Sequence, residues 1–405
     1  MSRFRQFAML CLGLIIALNT SFAVAQSNGE HDIRNAPTQL QLLRQVTSVD
    51  KHALAHASHS EHTHIGDRVR FSGASRAQFA LNAATAGKTS GQGDWVFEYV
   101  NVGILDSVKP HERKLHGGFD NDKDGNLYFG LSGAGVLKLS ADFKNWEVLE
   151  VNAEVKNGNV HNMCCFYDKD GNGFLALPST SHRKVYITDL KGKLVCTLEN
   201  PQHNEYYQKK GRFVPTDCEF ISDSKGGGIL WVVTGYSPGD FVIAADPFSG
   251  KWINDKWFGG KGNTAGKLNT GHGIVYKAKD NTIVIANRSP SKQETFDLSG
   301  KHLDTLQLPN RSNPCDITFL KSDNTYSASS SLNSPVKGKG APIYVLKNNE
   351  IVSTILPKDE LGLELVKHVH NVHFYENGGE TYLVCQAWNP GFFFILKKVS
   401  AKGKS

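Results

Sequence analysis

The stretch His161-Asn162-Met163-Cys164 opens a unit of sequence that recurs along the chain. Each unit has a polar residue, a short apolar run, a turn rich in Asp, Asn or Gly, and a second apolar run. The six units begin at residues 116, 161, 217, 272, 316 and 370, so successive starts lie 44 to 56 positions apart. This spacing is typical of a four-stranded propeller blade. The repeat therefore predicts an all-β protein, a six-bladed β-propeller.

Turn residues within the units favour the same fold. Segments rich in Asp, Asn and Gly stand where a tight hairpin should join two strands, because these residues tolerate positive φ. They are 122–126, 168–172 and 279–281. Two of them imitate the start of a calcium loop, but no Glu follows at the required distance, so a turn explains them. Runs at 127–129, 229–233 and 282–285 have the β-branched and aromatic composition of buried strands.

The N-terminus has the features of a secretory signal peptide. Arg3 and Arg5 precede an apolar core at 9–18, and Ala23-Val24-Ala25 is a small-residue cleavage signature. The core is too short for a comfortable membrane span, and no other apolar run qualifies. We expect a secreted or periplasmic protein, cleaved near Ala25, whose mature chain has no transmembrane segment.

The chain divides into four predicted segments. They are the signal peptide at 1–25, a flexible His-rich extension at 26–90, the propeller at 91–400 and a basic tail at 401–405. The extension is poor in aromatic residues, which argues against a separate folded domain. Its clustered imidazoles either capture borderline metal ions or are incidental to a linker. They are His52, His56, His59, His62 and His64.

Charge and cysteine content narrow the classes of partner. The formal charge of +6 falls to +4 without Arg3 and Arg5, and the remaining charges are interspersed. That is too mild for nucleic-acid binding, so we expect a small-molecule or peptide substrate. The cysteines lack the dense spacing of a disulfide-stapled protein, and the adjacent Cys164 and Cys165 are interpreted as small buried residues.

Polar residues at the unit starts are expected to meet on the propeller axis, because the innermost strand of each blade lines the central channel. This ring comprises His116, His161, Asp217, His272, Asp316 and His370. Imidazoles and carboxylates suit a borderline divalent cation, zinc first, and the ring offers enough His without any Cys in register. The alternative is that each residue hydrogen-bonds a neighbouring blade and no metal binds.

A second pattern of residues runs from Phe213 to Phe296. It comprises Phe213, Pro215-Thr216-Asp217, Gly235-Tyr236, Pro247, Gly250-Lys251, Trp257, Gly266, His272, Ala286-Asn287-Arg288 and Phe296. In order and spacing it resembles peptidyl-α-hydroxyglycine α-amidating lyase, a six-bladed propeller of the NHL-repeat type. Weaker similarity extends from His116 to the C-terminus.

The resemblance implies an activity and a site. That family binds zinc through three histidines from three blades, which match His161, His272 and His370. It also uses a tyrosine and an arginine, which match Tyr236 and Arg288 and imply a catalytic base and a clamp for the substrate carboxylate. The implied enzyme is a carbon–nitrogen lyase that converts a peptidyl-α-hydroxyglycine to a peptide amide and glyoxylate.

Three departures from the family pattern bear on the site. The first blade lacks the family's further arginine at 129–133 and offers His116, as a fourth ligand, a proton shuttle or another polar contact. Asn371 replaces the acidic residue that helps the family bind calcium, which argues against calcium here. His368 would share a strand face with His370, so the ligand at that point stays open.

Two other functions remain open at this stage. Related six-bladed folds include metal-dependent lactonases and esterases, which place a metal in the same channel. NHL propellers also serve as binding scaffolds without chemistry.

Overall fold

A computed structural model describes residues 84–102, 115–201, 205–210, 212–388 and 391–400. Within these ranges the strands form six sheets, and the prediction of an all-β, six-bladed propeller is confirmed. The predicted signal peptide, the basic tail and the extension up to residue 83 lie outside the described residues.

The first five blades each contain four antiparallel strands that follow one another in the sequence. Blade 1 contains β3 (Leu115–Asn121), β4 (Leu127–Leu131), β5 (Gly135–Leu139) and β6 (Trp146–Val148). Blade 2 contains β7 (Cys164–Tyr167), β8 (Gly173–Ser179), β9 (Lys184–Asp189) and β10 (Leu194–Leu198). Blade 3 contains β11 (Asp217–Ser222), β12 (Gly228–Val233), β13 (Phe241–Asp246) and β14 (Lys251–Gly259).

The next two blades repeat this order. Blade 4 contains β15 (Gly271–Lys277), β16 (Thr282–Asn287), β17 (Lys292–Asp297) and β18 (His302–Gln307). Blade 5 contains β19 (Pro314–Phe319), β20 (Tyr326–Ser331), β21 (Ile343–Lys347) and β22 (Glu350–Ile355). The predicted strands at 127–129, 229–233 and 282–285 lie in β4, β12 and β16.

Blade 6 is built from both ends of the described chain. Its inner strands are β23 (Asn371–Asn377), β24 (Glu380–Ala387) and β25 (Phe392–Val399), and the outer ones are β2 (Trp95–Val100) and β1 (Thr89–Gln92). β2 pairs antiparallel with β25, from Val96 opposite Val399 to Val100 opposite Ile395. This pairing closes the ring by hydrogen bonds, and no local pattern of residues predicts it.

Short helices and apolar side chains fill the remaining space. α1 (Ala153–Asn157) begins where Asn152 Oδ1 accepts from Val155 N, and α2 (Glu205–Lys210) places the buried Tyr207 against Thr234. Apolar side chains of neighbouring blades pack together, as Ile187 does with Leu230 between blades 2 and 3. Among the described residues, no helix is long and apolar enough to cross a lipid bilayer.

The predicted hairpin turns are confirmed by their backbone. In the turn between β3 and β4, Gly125 has φ of 80°, and Asp122 Oδ1 accepts from Asp124 N and Asn126 N. The 168–172 segment repeats this arrangement, with φ of 83° at Gly171. Positive φ explains why glycine stands at both positions.

Carboxylates join the innermost strands of neighbouring blades. Asp217 in β11 accepts from Cys218 N at 2.7 Å and from Ile274 N of the next blade at 2.9 Å. Asp316 in β19 accepts from Ile317 N at 2.9 Å and from Val372 N of the next blade at 3.2 Å. Backbone N–H groups that face the channel need such acceptors, because no ladder partner lies on that side.

Candidate functional site

Four histidines meet at one end of the channel. His116 lies in β3 and His272 in β15, while His370 immediately precedes β23 and His161 lies three residues before β7. The ring centroids of His161, His272 and His370 are 4.7 to 4.8 Å apart. His116 lies 4.9 Å from His161 and 5.0 Å from His370 by the same measure. The structure thus brings together histidines from four blades that are far apart in the sequence.

Each of these rings is held through Nδ1. His161 Nδ1 donates to Thr216 O at 2.7 Å and His272 Nδ1 to Cys315 O at 2.8 Å. The Nδ1 atoms of His370 and His116 lie 2.6 Å from Asn371 Oδ1 and 2.8 Å from Asn159 Oδ1. A neutral imidazole that donates from Nδ1 carries its lone pair on Nε2, so Nε2 is the ligand atom that each ring could offer. At His272 this atom accepts from Tyr236 Oη at 3.1 Å.

Burial keeps the imidazoles uncharged. His161 and His272 are fully buried and His370 is 2% exposed. Burial lowers the pKa of each of the three well below its usual value, and the positive charge of Arg288 adds to the effect. His161 Nε2 is buried and has no hydrogen-bond partner. A buried lone pair without a donor is costly, and a cation shared with the neighbouring rings would satisfy it.

The four histidines form two overlapping sets of three. The ligand atoms of His116, His161 and His370 all lie within 4.8 Å of one another. His161 and His370 also belong to the set matched by the family resemblance, in which His272 is the third member. Both sets contain only imidazole nitrogens, which suit zinc or another borderline divalent metal.

Tyr236 and Arg288 adjoin the histidines, as the resemblance implied. Tyr236 follows β12, and its Oη donates to His272 Nε2 at 3.1 Å. Arg288 follows β16, and its Nη1 donates to Tyr236 Oη at 3.1 Å. Burial raises the pKa of Tyr236, while the charge of Arg288 acts in the opposite direction. The phenol oxygen therefore lies between a guanidinium and an imidazole, a suitable position for proton transfer.

Arg288 is a buried cation that no carboxylate of the described residues neutralises. It is 9% exposed, and besides Tyr236 its partner is Cys315 Sγ, which accepts from Nη2 at 3.2 Å. Its Nε atom is buried without a partner. Both partners are formally neutral groups, so neither offsets the positive charge of the guanidinium, which could attract an anionic ligand.

The ring register differs by one residue from the predicted one in blades 3 and 5. Thr216 N donates to Val233 O as His370 N does to Gln386 O, so Thr216 rather than Asp217 matches the histidines. Cys315, which precedes Asp316, takes the corresponding place in blade 5. An alignment of the blades that matches the aspartates with the histidines hides this thiol, whereas one that matches Asp217 and Asp316 with Asn371 reveals it.

The two aspartates line the other part of the channel. A cavity of about 560 Å³ is bordered there by Asp217, Asp316, Asp120, Glu219 and His373, among others, but by none of the four clustered histidines. Burial raises the pKa of Asp316 to about 7 and that of Asp217 well above its usual value. Both carboxyl groups are engaged in the contacts between blades described above.

His368 lies near the cluster but faces an aromatic ring. It belongs to a bend before β23, so the strand alternation that would align it with His370 does not apply. Its ring stacks on Trp388, with centroids 5.3 Å apart and planes at 7°. Trp388 is also 5.9 Å from His116, so His368 and Trp388 border the histidine end of the channel.

Comparisons with known proteins leave the family open. No protein-family model matches the chain, and no curated protein matches it. A solved streptogramin B lyase is similar, with 14% identity and a TM-score of 0.45, covering 76% of this chain and 97% of its own. A virginiamycin B lyase from Staphylococcus aureus shows 12% identity and a TM-score of 0.43, covering 71% and 94%. Likenesses at this level carry no inference about activity.

Proposed function

We propose that this protein is an exported, zinc-dependent carbon–nitrogen lyase of the amidating type. Its substrate would be an N-acyl- or peptidyl-α-hydroxyglycine, and its products an amide and glyoxylate. The observation that carries the proposal is the buried group of imidazoles from separate blades, with His161 Nε2 unpartnered and the Tyr236–Arg288 pair beside it. The signal-peptide features at 1–25 support export.

The residues present fit a zinc ion. His161, His272 and His370 would hold it through Nε2, since each Nδ1 is occupied by a hydrogen bond. His272 would do so after Tyr236 Oη has stopped donating to its Nε2. These bonds orient the rings as expected for metal ligands. Bound zinc would act as a Lewis acid toward an oxygen of the substrate.

Arg288 and Tyr236 would act directly on the substrate. In the reaction the hydroxyl proton leaves, a carbonyl forms, the carbon–nitrogen bond breaks and the amide nitrogen gains a proton. Once its own phenol proton has left to solvent, Tyr236 would accept the hydroxyl proton as a phenolate that Arg288 stabilises through Nη1, and would then return that proton to the nitrogen. The uncompensated charge of Arg288 would bind the substrate carboxylate.

Metal analysis and a product assay test this function together. We expect purified protein to contain about one zinc per chain and to release glyoxylate from an N-acyl-α-hydroxyglycine. Tyr236→Phe should lower kcat by about 100-fold or more while zinc is retained, because general acid–base catalysis contributes about that much. The control is His182→Ala, since His182 lies on blade 2 and its Nδ1 contacts Tyr186 Oη at 2.8 Å. This variant should retain zinc and glyoxylate release.

Two other outcomes would contradict the proposed lyase activity. Protein that stays metal-free after incubation with zinc and releases no glyoxylate would overturn the proposal and leave a binding scaffold. Zinc-loaded protein that is inactive on the hydroxyglycine but hydrolyses lactones or esters would place it among the hydrolases.

A further inference from the structure

We propose that His116 is a fourth protein ligand of the metal, so that the centre has four histidines instead of three. This inference rests on the proposed zinc centre and concerns its ligand set. It starts from position: the ligand atoms of His116, His161 and His370 all lie within 4.8 Å of one another. By ring centroids, His116 lies 4.9 Å from His161 and 5.0 Å from His370, compared with 4.7 and 4.8 Å for His272.

The anchoring of the His116 ring is a second, independent observation. Its Nδ1 lies 2.8 Å from Asn159 Oδ1. Asn159 Nδ2 donates to Thr180 Oγ1 at 2.9 Å, so the amide turns its Oδ1 toward His116, and Asn159 N donates to Ser181 Oγ at 2.8 Å, which holds the backbone of this residue. His116 must then donate from Nδ1 and carry its lone pair on Nε2.

This anchoring follows the same rule as that of two of the other three histidines. His161 of blade 2 is held by Thr216 of blade 3, and His272 of blade 4 by Cys315 of blade 5. His116 of blade 1 is likewise held by Asn159, in the segment that leads into blade 2. A second-shell acceptor on Nδ1 is the usual arrangement for a metal-ligating histidine.

A purely structural role explains the arrangement less well. A histidine that serves only to contact the next blade needs its Nδ1 bond and nothing more. His116 also lies beside His161, whose buried Nε2 has no donor. The lone pair of a neighbouring imidazole cannot satisfy that atom, whereas a cation held by both rings would.

His116 differs from the other three histidines in exposure. It is half-buried, while the others are at most 2% exposed. It is therefore the ligand most accessible to exchange when a substrate enters. Its position in blade 1 also supplies a polar group where the resembled family has an additional arginine.

Metal binding by the full chain, measured without reference to turnover, tests the inference. Protein stripped of metal would be titrated with Zn²⁺ against a chromophoric chelator, and with Co²⁺ for its visible absorption. We expect His116→Ala to weaken zinc binding by at least about 10-fold, since even outer-shell changes cost 10- to 100-fold. We also expect a changed Co²⁺ spectrum that added imidazole restores. His182→Ala should match the wild type.

The outcomes separate the two proposals. Unchanged zinc affinity and an unchanged Co²⁺ spectrum in folded His116→Ala would overturn the four-histidine centre while leaving the zinc lyase intact. Wild-type protein that binds neither ion would overturn both. Circular dichroism establishes that the variant is folded, and imidazole rescue attributes the loss to the missing ligand.

Discussion

The two ends of the central channel use polar side chains in opposite ways. At one end His116, His161, His272 and His370 are held through Nδ1, so that their Nε2 atoms face one another and Tyr236. At the other end the carboxylates make structural hydrogen bonds. Asp217 and Asp316 each accept from one backbone N–H of their own strand and from one of the next blade.

This contrast distinguishes a ligand site from a brace, which here means a buried carboxylate that accepts from backbone N–H groups and so links neighbouring segments of the fold. Charged residues in a channel do not by themselves indicate function, since a carboxylate that accepts two backbone N–H groups is already satisfied. The histidine end has a buried acceptor without a donor and a buried guanidinium without a carboxylate among the described residues. Such unmet requirements point to a ligand.

The largest effect is expected from removing a central imidazole. His161→Ala should reduce zinc affinity by more than about 100-fold and abolish glyoxylate release, because it removes a ligand outright. Inductively coupled plasma mass spectrometry and the product assay measure both. His373→Ala is the matched control at the carboxylate end, where Nε2 contacts Asn121 Oδ1 at 3.0 Å. Equal zinc loss in both variants would erase the distinction between the two ends.

A brace should affect stability and not metal content. Asp217→Ala leaves two buried N–H groups without an acceptor and should lower the free energy of unfolding by about 4 kcal/mol, as measured by urea denaturation. The control is Asp223→Ala, which also removes the acceptor of two backbone N–H groups, but in an exposed turn. It should lower the free energy of unfolding by less than half as much. Zinc per folded chain should stay constant, and its selective loss in Asp217→Ala would contradict this assignment.

A brace also exists at the histidine end, and its effect should depend on pH. Asp240 accepts from Thr270 N and Gly271 N, just before His272, and burial raises its pKa from 3.8 to about 6. The folded state holds this proton more tightly, so its contribution is complete below pH 4 and declines as the pH rises to about 6.

Relative to Asp240→Asn, the wild type should therefore lose about 2 to 3 kcal/mol of stability between pH 4 and pH 7. Urea unfolding of both proteins at several pH values measures this difference. A difference that stays constant across the range, or that grows in favour of the wild type, would show that Asp240 is ionised at all these pH values.

The smallest effect is expected from the thiol beside Arg288. Cys315→Asp introduces a carboxylate that pairs with the guanidinium, so KM for a carboxylate substrate should rise by about 10-fold. Cys315→Ser keeps a neutral acceptor and should stay within about 2-fold. Steady-state kinetics measure both, with Cys385→Ser, a buried thiol in blade 6, as the control. A similar KM for the Asp and Ser variants would argue that Arg288 does not bind the substrate anion.

Local signals in the sequence predicted much of the fold. The Asp122 and Asp168 turns depend on contacts within a few residues, so their composition is sufficient. The repeat predicted six blades and the convergence of the histidines, because equivalent positions of a closed ring face one axis. The pairing of β2 with β25 joins segments about 300 residues apart, and no local pattern encodes it.

Which side chains face the histidine cluster depends on how equivalent residues of the six blades are aligned. Aligning the blades on Asp217 and Asp316 concealed Thr216 and Cys315, since a shift of one residue exchanges a side chain that faces the cluster for one that braces the next blade. The hydrogen bond between Asn159 and His116 also escaped the sequence, because asparagine has many roles in loops.

The pairing of β2 with β25 decides when the histidine cluster is complete. His116 and His370 come from the first and last blades, and their rings lie 5.0 Å apart across the junction that β2 and β25 complete. Because Phe392–Val399 follows every other described strand in the sequence, a nascent chain that has not reached it lacks the partner that pairs with β2. The four histidines thus come together only after translation has passed this strand.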